Sequence, residues 1–248
     1  MEEVSLPVIC DGIRLAAGGI VPDEARGAAV LLHGIPSVTP PDSGDTGYPG
    51  FAKRFAERSW AAAWVDMRAV RGSKGFFSIE GWVRDARAVI EAVRGTEGFS
   101  GLPLALIGSS AGGAVACEVV ARGTSVDALV LLAAPATWLS FAADGAAAVT
   151  RITQDAGMAL APETVADPTS WAEEFSRVTP ERSIVNVRVP TLIVHGSDDD
   201  VVPVDHAELL GERAPRADVR VVRGAGHQLR TDDEAMSIVF EWLERNLR

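Results

Sequence analysis

Apolar positions along the chain fall into short continuous runs that alternate with stretches of helical period. Val4 to Cys10 and Ile13 to Ile20 read as strands joined by Asp11-Gly12, a dipeptide that favours a hairpin turn. Ala28 to Leu32 is a buried strand running into His33-Gly34, and Trp60 to Val65 is another, closing on Asp66. Further strands are expected at Leu104 to Ile107, Ala128 to Ala133, Thr191 to Val194 and Val219 to Val222. Helical spacing covers Phe51 to Ser59 and the stretch from Ala114 onward. It is clearest in Ser78 to Val93, where Trp82, Ala86, Val89, Ile90 and Val93 share a face. Two more helices open on expected capping boxes: Asp205 to Arg213 on Asp205 and Glu208, and Thr231 to Leu247 on Thr231 and Glu234. The Pro-, Gly-, Ser- and Asp-rich stretch Ile35 to Pro49 is expected to be a loop.

Single buried strands alternating with helices imply crossover units. The fold class is therefore α/β, a mainly parallel sheet with helices on both faces and the opening hairpin at one edge. One segment interrupts the rhythm. After Pro135 no strand appears for roughly fifty residues, too long for an ordinary connection. It holds helical candidates at Ala142 to Ala156 and Ser170 to Arg177, around the Pro- and Asp-containing stretch Ala161 to Pro168. The expected organisation is a core of residues 1–135 and 187–248 with a helical lid at 136–186 over the C-terminal edge of the sheet. A long connection with no role in the site is the alternative.

Composition narrows the function classes. The chain has 248 residues, enough for a substantial core, and 47% of them are hydrophobic, so it is globular. No apolar run is long enough to span a membrane, and the N-terminus lacks a signal-peptide layout. The net charge of −11 argues against nucleic acid or an anionic membrane as partner. Cys10 and Cys117 sit in apolar stretches, suggest no disulfide framework and point to the core, with a cytoplasmic location as the default. No dinucleotide fingerprint, P-loop or Cys/His metal cluster is present, so no cofactor and no metal is expected. Oligomeric state is not legible.

The chemistry centres on Gly108-Ser109-Ser110-Ala111-Gly112, between an apolar strand and the start of a helix. A serine at such a turn sits in strained backbone, and its neighbours two positions away must be tiny because adjacent backbone comes close. This singles out Ser110; Ser109 would need glycine at Ile107 and Ala111. A serine nucleophile needs a base, and the base needs an orienting carboxylate. Of four histidines, His33 comes too early and is expected to be a structural loop residue. His195 sits where the acid loop should begin, and His206 lies on the polar side of a helix, where it is expected to be solvated. His227 remains, in a glycine-rich loop after the last strand. The acid belongs in the loop Ser197 to Pro203, where Asp198, Asp199 and Asp200 are equally placed on physical grounds. The amide of Ala111, directly after the nucleophile, is one expected oxyanion donor.

The elbow at Ser110, the His33-Gly34 dipeptide and the pattern His195-Gly-x-x-Asp199-x-x-Val202-Pro203 together resemble the α/β-hydrolase superfamily. The resemblance spans nearly the whole chain apart from the insertion. It implies the α/β-hydrolase fold, Asp199 as the acid and the amide of Ile35 as the second oxyanion donor. Asp66-x-Arg68 with Gly72-Ser73-Lys74-Gly75 is similar to a stretch of esterase and acylaminoacyl-peptidase-like members, although Ala69 and Arg71 stand where that branch usually has glycine. Arg68 is expected to hold this loop by hydrogen bonds.

The expected function is a serine hydrolase that cleaves carboxylic esters of small to medium uncharged acyl groups through an acyl-enzyme on Ser110. The same triad would equally suit amide or peptide, thioester, lactone or C–C bond hydrolysis, and a hydrolase-fold ligand-binding protein is a third reading. The partner expected is a small-molecule ester. Trp138 and Phe141, which follow the strand beside the elbow strand, are expected to wall the substrate pocket.

Overall fold

The computed structural model describes residues 1–38 and 45–247. Nine strands form one sheet: β1 (Glu2–Ser5), β2 (Val8–Cys10), β3 (Ile13–Val21), β4 (Gly27–Leu32), β5 (Trp60–Asp66), β6 (Leu104–Ser109), β7 (Ala128–Leu132), β8 (Thr191–Gly196) and β9 (Ala217–Val222). The order is β1-β3-β5-β4-β6-β7-β8-β9, with β2 also paired to β3. Pairing is antiparallel from β1 to β5 and parallel from β5 through β4 to β9. The opening strand expected at Val4 to Cys10 is two strands. Pro7 lies between them and brings no N–H to the ladder.

Alternate residues of the central strands feed two cores. Val30, Leu32 and Leu106 face one side with α2 (Ile79–Arg94), α3 (Ala111–Ala121) and the helical segment after β7. Ala29, Leu31 and Ile107 face the other, with α1 (Gly47–Ala56) and the C-terminal helix. This two-sided burial explains why these strands read as continuous apolar runs.

Between β7 and β8 the chain forms α4 (Leu139–Ala143), α5 (Gly145–Thr150), a π-helical turn Arg151–Asp155, α6 (Pro162–Ala166), α7 (Thr169–Arg177) and α8 (Pro180–Ser183). The expected helix Ala142 to Ala156 is thus broken at Asp144, which caps α5 through the Ala147 amide. After β8 come α9 (Asp205–Arg213) and α10 (Asp233–Asn246). Neither expected capping box forms. Val204 stands at the N-cap of α9, and Asp232 caps α10 by accepting from the Ala235 amide, while Thr231 belongs to a preceding 3-10 turn. Of the expected loop Ile35 to Pro49, positions 39–44 lie outside the described residues, and Gly47 to Pro49 already belong to α1.

His206 is not simply solvated: its Nδ1 accepts the Ala136 amide at 2.8 Å and fastens the start of the inserted segment. Arg68 is buried and pairs with Asp85 at 2.7 Å and Asp11 at 2.8 Å, which anchors the loop after β5. Cys10 and Cys117 are free and buried, and burial pushes the Cys117 thiol up to about 12.

Candidate active site

The turn from β6 into α3 puts Ser110 at φ 52°, ψ −126°, a conformation unfavourable for any residue with a side chain. Packing holds it there. A Cβ on Gly108 would lie 2.3 Å from the Gly112 carbonyl oxygen, and one on Gly112 would lie 2.4 Å from that of His33. Ser109, by contrast, is the last residue of β6, paired with Leu132.

The loop after β4 rests directly on this serine. A Cβ on Gly34 would meet Ser110 Cβ at 2.8 Å and Oγ at 3.3 Å. His33 fixes the loop: its Nδ1 is 2.7 Å from Gly34 O, and its Nε2 accepts the Met67 amide at 3.0 Å. Nδ1 therefore carries the proton. Burial drives the His33 pKa down to about 4, so the ring is neutral at pH 7. The Gly113 and Ala114 amides donate to Ser110 O, so the helical ladder starts after Ala111. The first amides of α3 and the backbone at Gly34 thus flank the serine, and Ile35 lines the same cavity.

At the ends of β8 and β9, Asp199 and His227 meet. His227 Nδ1 lies 2.8 Å from Asp199 Oδ2 and 3.0 Å from Oδ1. A carboxylate only accepts, so Nδ1 is the protonated nitrogen and Nε2 keeps its lone pair. Asp199 Oδ1 also accepts the Val201 and Val202 amides at 2.9 and 2.8 Å. Burial by itself would raise the Asp199 pKa. These amide donors and His227 outweigh it, and the carboxyl stays below its usual range. Asp198 and Asp200 are exposed, and Asp198 is engaged by the Ser197 hydroxyl. The loop geometry thereby separates three aspartates that looked equivalent. A contact that sequence reading missed is His195, whose Nε2 is 3.2 Å from Asp199 Oδ2 and 2.8 Å from Val202 O. Its position four residues before Asp199, at a strand end, was the available signal.

Ser110 and His227 line one cavity of about 980 Å³. Ile35, Tyr48, Trp64, Leu132 and Met158 form much of its apolar wall, while Asp45, Asp66, Arg71 and Arg230 bring charge. The inserted segment contributes only Ala156, Gly157 and Met158. Trp138 and Phe141 do not line it. They are buried with Phe175, at ring distances of 5.6 and 4.8 Å, in an aromatic cluster that continues to Trp171 and Phe77. Edge-to-face packing of these rings on one another adds to the gain from burying them. Among the described residues, no group of three His, Cys, Asp or Glu side chains is placed to hold a metal ion, and no helix is long and apolar enough to cross a membrane.

Comparison with known proteins bears on the fold and the family. No curated protein sequence matches the chain. Est1E from Butyrivibrio proteoclasticus, solved with ferulic acid, superposes with a TM-score of 0.72 at 19% identity, covering 96% of this chain and 98% of that one. The Pyrococcus furiosus esterase Pf2001 gives a TM-score of 0.70 at 20% identity over 100% of this chain and 93% of its own. The esterase from Exiguobacterium antarcticum gives 0.69 at 18% identity over 97% and 99%. At these identities the likeness establishes the α/β-hydrolase fold. The sequence profile of the serine aminopeptidase S33 family matches residues 23–179, more than half of the chain. With that fold and that match, the chain belongs to the serine aminopeptidase S33 family of α/β hydrolases.

Proposed function

We propose that this hydrolase cleaves carboxylic esters of small to medium acyl groups, with Ser110 as nucleophile, His227 as base and Asp199 as its orienting acid. The observation that carries the reading is the 2.8 Å Asp199–His227 pair on the cavity that also exposes the strained Ser110. Ser110 Oγ adds to the acyl carbon while its proton passes to His227 Nε2. The amides of Ala111 and Ile35 hold the oxyanion. The intermediate collapses, the C–O bond breaks, and the alcohol leaves with the proton from His227. Water then attacks the acyl-enzyme with His227 again as base, and the carboxylic acid departs.

The family name raises aminopeptidase chemistry as a second reading. Gripping a free α-ammonium group needs an unpaired carboxylate in the cavity. Asp45 is taken by Arg230 and Asp66 by Arg71, which favours esters. The test is kcat/KM for a series of p-nitrophenyl esters and amino-acid p-nitroanilides. Esters should be turned over and the anilides left intact, with ester turnover lost in Ser110→Ala. Faster anilide cleavage would reverse the assignment.

A further inference from the structure

The cavity wall carries two arginines in different states. Arg230 presents both terminal nitrogens to the Asp45 carboxylate and lies 5.4 Å from the centre of the Tyr48 ring, so its guanidinium is fully engaged. Arg71 is not. Only its Nη1 is held, by Asp66 Oδ1 at 3.0 Å, while the other oxygen of Asp66 faces the Gly72 amide. The Nε–Nη2 edge has no partner among the described residues, and the side chain is 54% exposed on the cavity wall. That edge is the two-pronged face that matches a planar carboxylate.

The backbone makes this arrangement costly to keep. Arg71 has φ +43° and Ala69 φ +65°, both in the left-handed region that disfavours side chains. A side chain held in such backbone at the rim of an active-site cavity is a sign of use.

We propose that Arg71 is a specificity-determining residue that binds a carboxylate on the substrate, so that the preferred esters are half-esters or otherwise carboxylate-bearing. This deepens the ester-hydrolase reading and rests on it. Asp66 pre-orients the guanidinium and leaves the Nε–Nη2 edge for the ligand. A single negative charge suits the site better than a dianionic phosphate, because Asp45 and Asp66 line the same cavity and the chain carries a net charge of −11. This departs from the uncharged acyl group expected from the sequence, because Arg71 of the loop after β5 reaches the cavity wall.

The test compares monomethyl with dimethyl esters of succinic, adipic and suberic acid. Each pair differs only in one free carboxylate. At the best-fitting length the wild type should favour the half-ester by about tenfold in kcat/KM, mainly through KM. The ratio should fall to about one in Arg71→Gln and in Arg71→Gly, the latter a change that the positive φ accommodates. Binding of the same compounds to Ser110→Ala by calorimetry gives an answer independent of turnover, with Ser110→Ala/Arg71→Gly as the comparison. If no ester is cleaved but half-esters still bind tenfold tighter through Arg71, the ester reading fails and the carboxylate site stands. If wild type shows no preference, or the preference survives both Arg71 variants, the carboxylate site is refuted.

Discussion

His195 Nε2 lies 3.2 Å from Asp199 Oδ2, the carboxylate oxygen that His227 Nδ1 reaches at 2.8 Å. The acid therefore lies between two imidazoles, accepting from His227 Nδ1 and the Val201 and Val202 amides, while the His195 Nε2 proton goes to Val202 O at 2.8 Å. Burial pushes the His195 pKa down, so this ring is neutral and acts as a hydrogen-bond donor. Asp199→Asn should lower kcat by about 10⁴-fold, because an amide at this position selects the wrong His227 tautomer. His195→Phe should cost about tenfold in kcat with KM little changed, since it removes the hydrogen bond that holds Val202, whose amide positions the Asp199 carboxylate. Asp198→Asn and Asp200→Asn should stay within about twofold of wild type. Steady-state kinetics on the four variants checks the ranking, and equal losses at all three aspartates would contradict it.

The backbone at Ser110 predicts opposite effects on activity and stability. Glycine is tolerant of φ 52°, ψ −126°, and serine is not. Ser110→Gly should therefore abolish turnover while raising the unfolding free energy by about 1 kcal/mol. Denaturant titration of Ser110→Gly beside Ser110→Ala measures this. A glycine variant less stable than the alanine variant would show that the turn is unstrained.

Trp138 and Met158 separate the core of the inserted segment from its contribution to the cavity. Trp138→Ala removes a ring packed on Phe141 and Phe175 and should destabilise the protein by about 3–5 kcal/mol. The acyl-length profile of kcat/KM should keep its shape. Met158→Ala, on the cavity wall, should shift that profile toward longer acyl chains. A profile altered by Trp138→Ala and indifferent to Met158→Ala would reverse these assignments.

His33 predicts how stability responds to acid. Its folded pKa is about 4 against an ordinary value of 6.5, so the unfolded chain takes up the proton first. The stability this neutral ring supports is complete above pH 6.5 and is lost as pH falls from there toward 4. Asp199, with its depressed pKa, adds a further loss at lower pH. Unfolding free energies between pH 7 and 4 should decline, and the decline should be shallower in His33→Gln. Equal slopes would show that His33 does not link protonation to folding.

The parallel core of the sheet was legible because β4, β6, β7 and β8 are buried on both faces and read as plain apolar runs. In the sequence Ser110 stood out through a turn whose neighbours are dictated by backbone geometry and His227 by elimination among four histidines, whereas Asp199 was set apart from Asp198 and Asp200 only by the family resemblance. The inserted segment was less so. Its short helices take their shape from the cluster around Phe175, and periodicity does not reveal which way an aromatic side chain turns. For that reason Trp138 and Phe141 looked like cavity residues. The charged wall was hidden for another reason. Arg71 and Arg230 are 159 positions apart in sequence order at their nearest, and only the fold brings them onto one cavity.

The proposed chemistry requires Ser110 as the nucleophile and His227 as its base. Its most direct test is peptide mass spectrometry after brief treatment with a fluorophosphonate probe, which forms a stable adduct on an activated serine. One adduct is expected on Ser110 and none on Ser109, with no labelling in Ser110→Ala and labelling slowed by orders of magnitude in His227→Ala. An adduct on another serine, or labelling of Ser110 at full rate without His227, would contradict it.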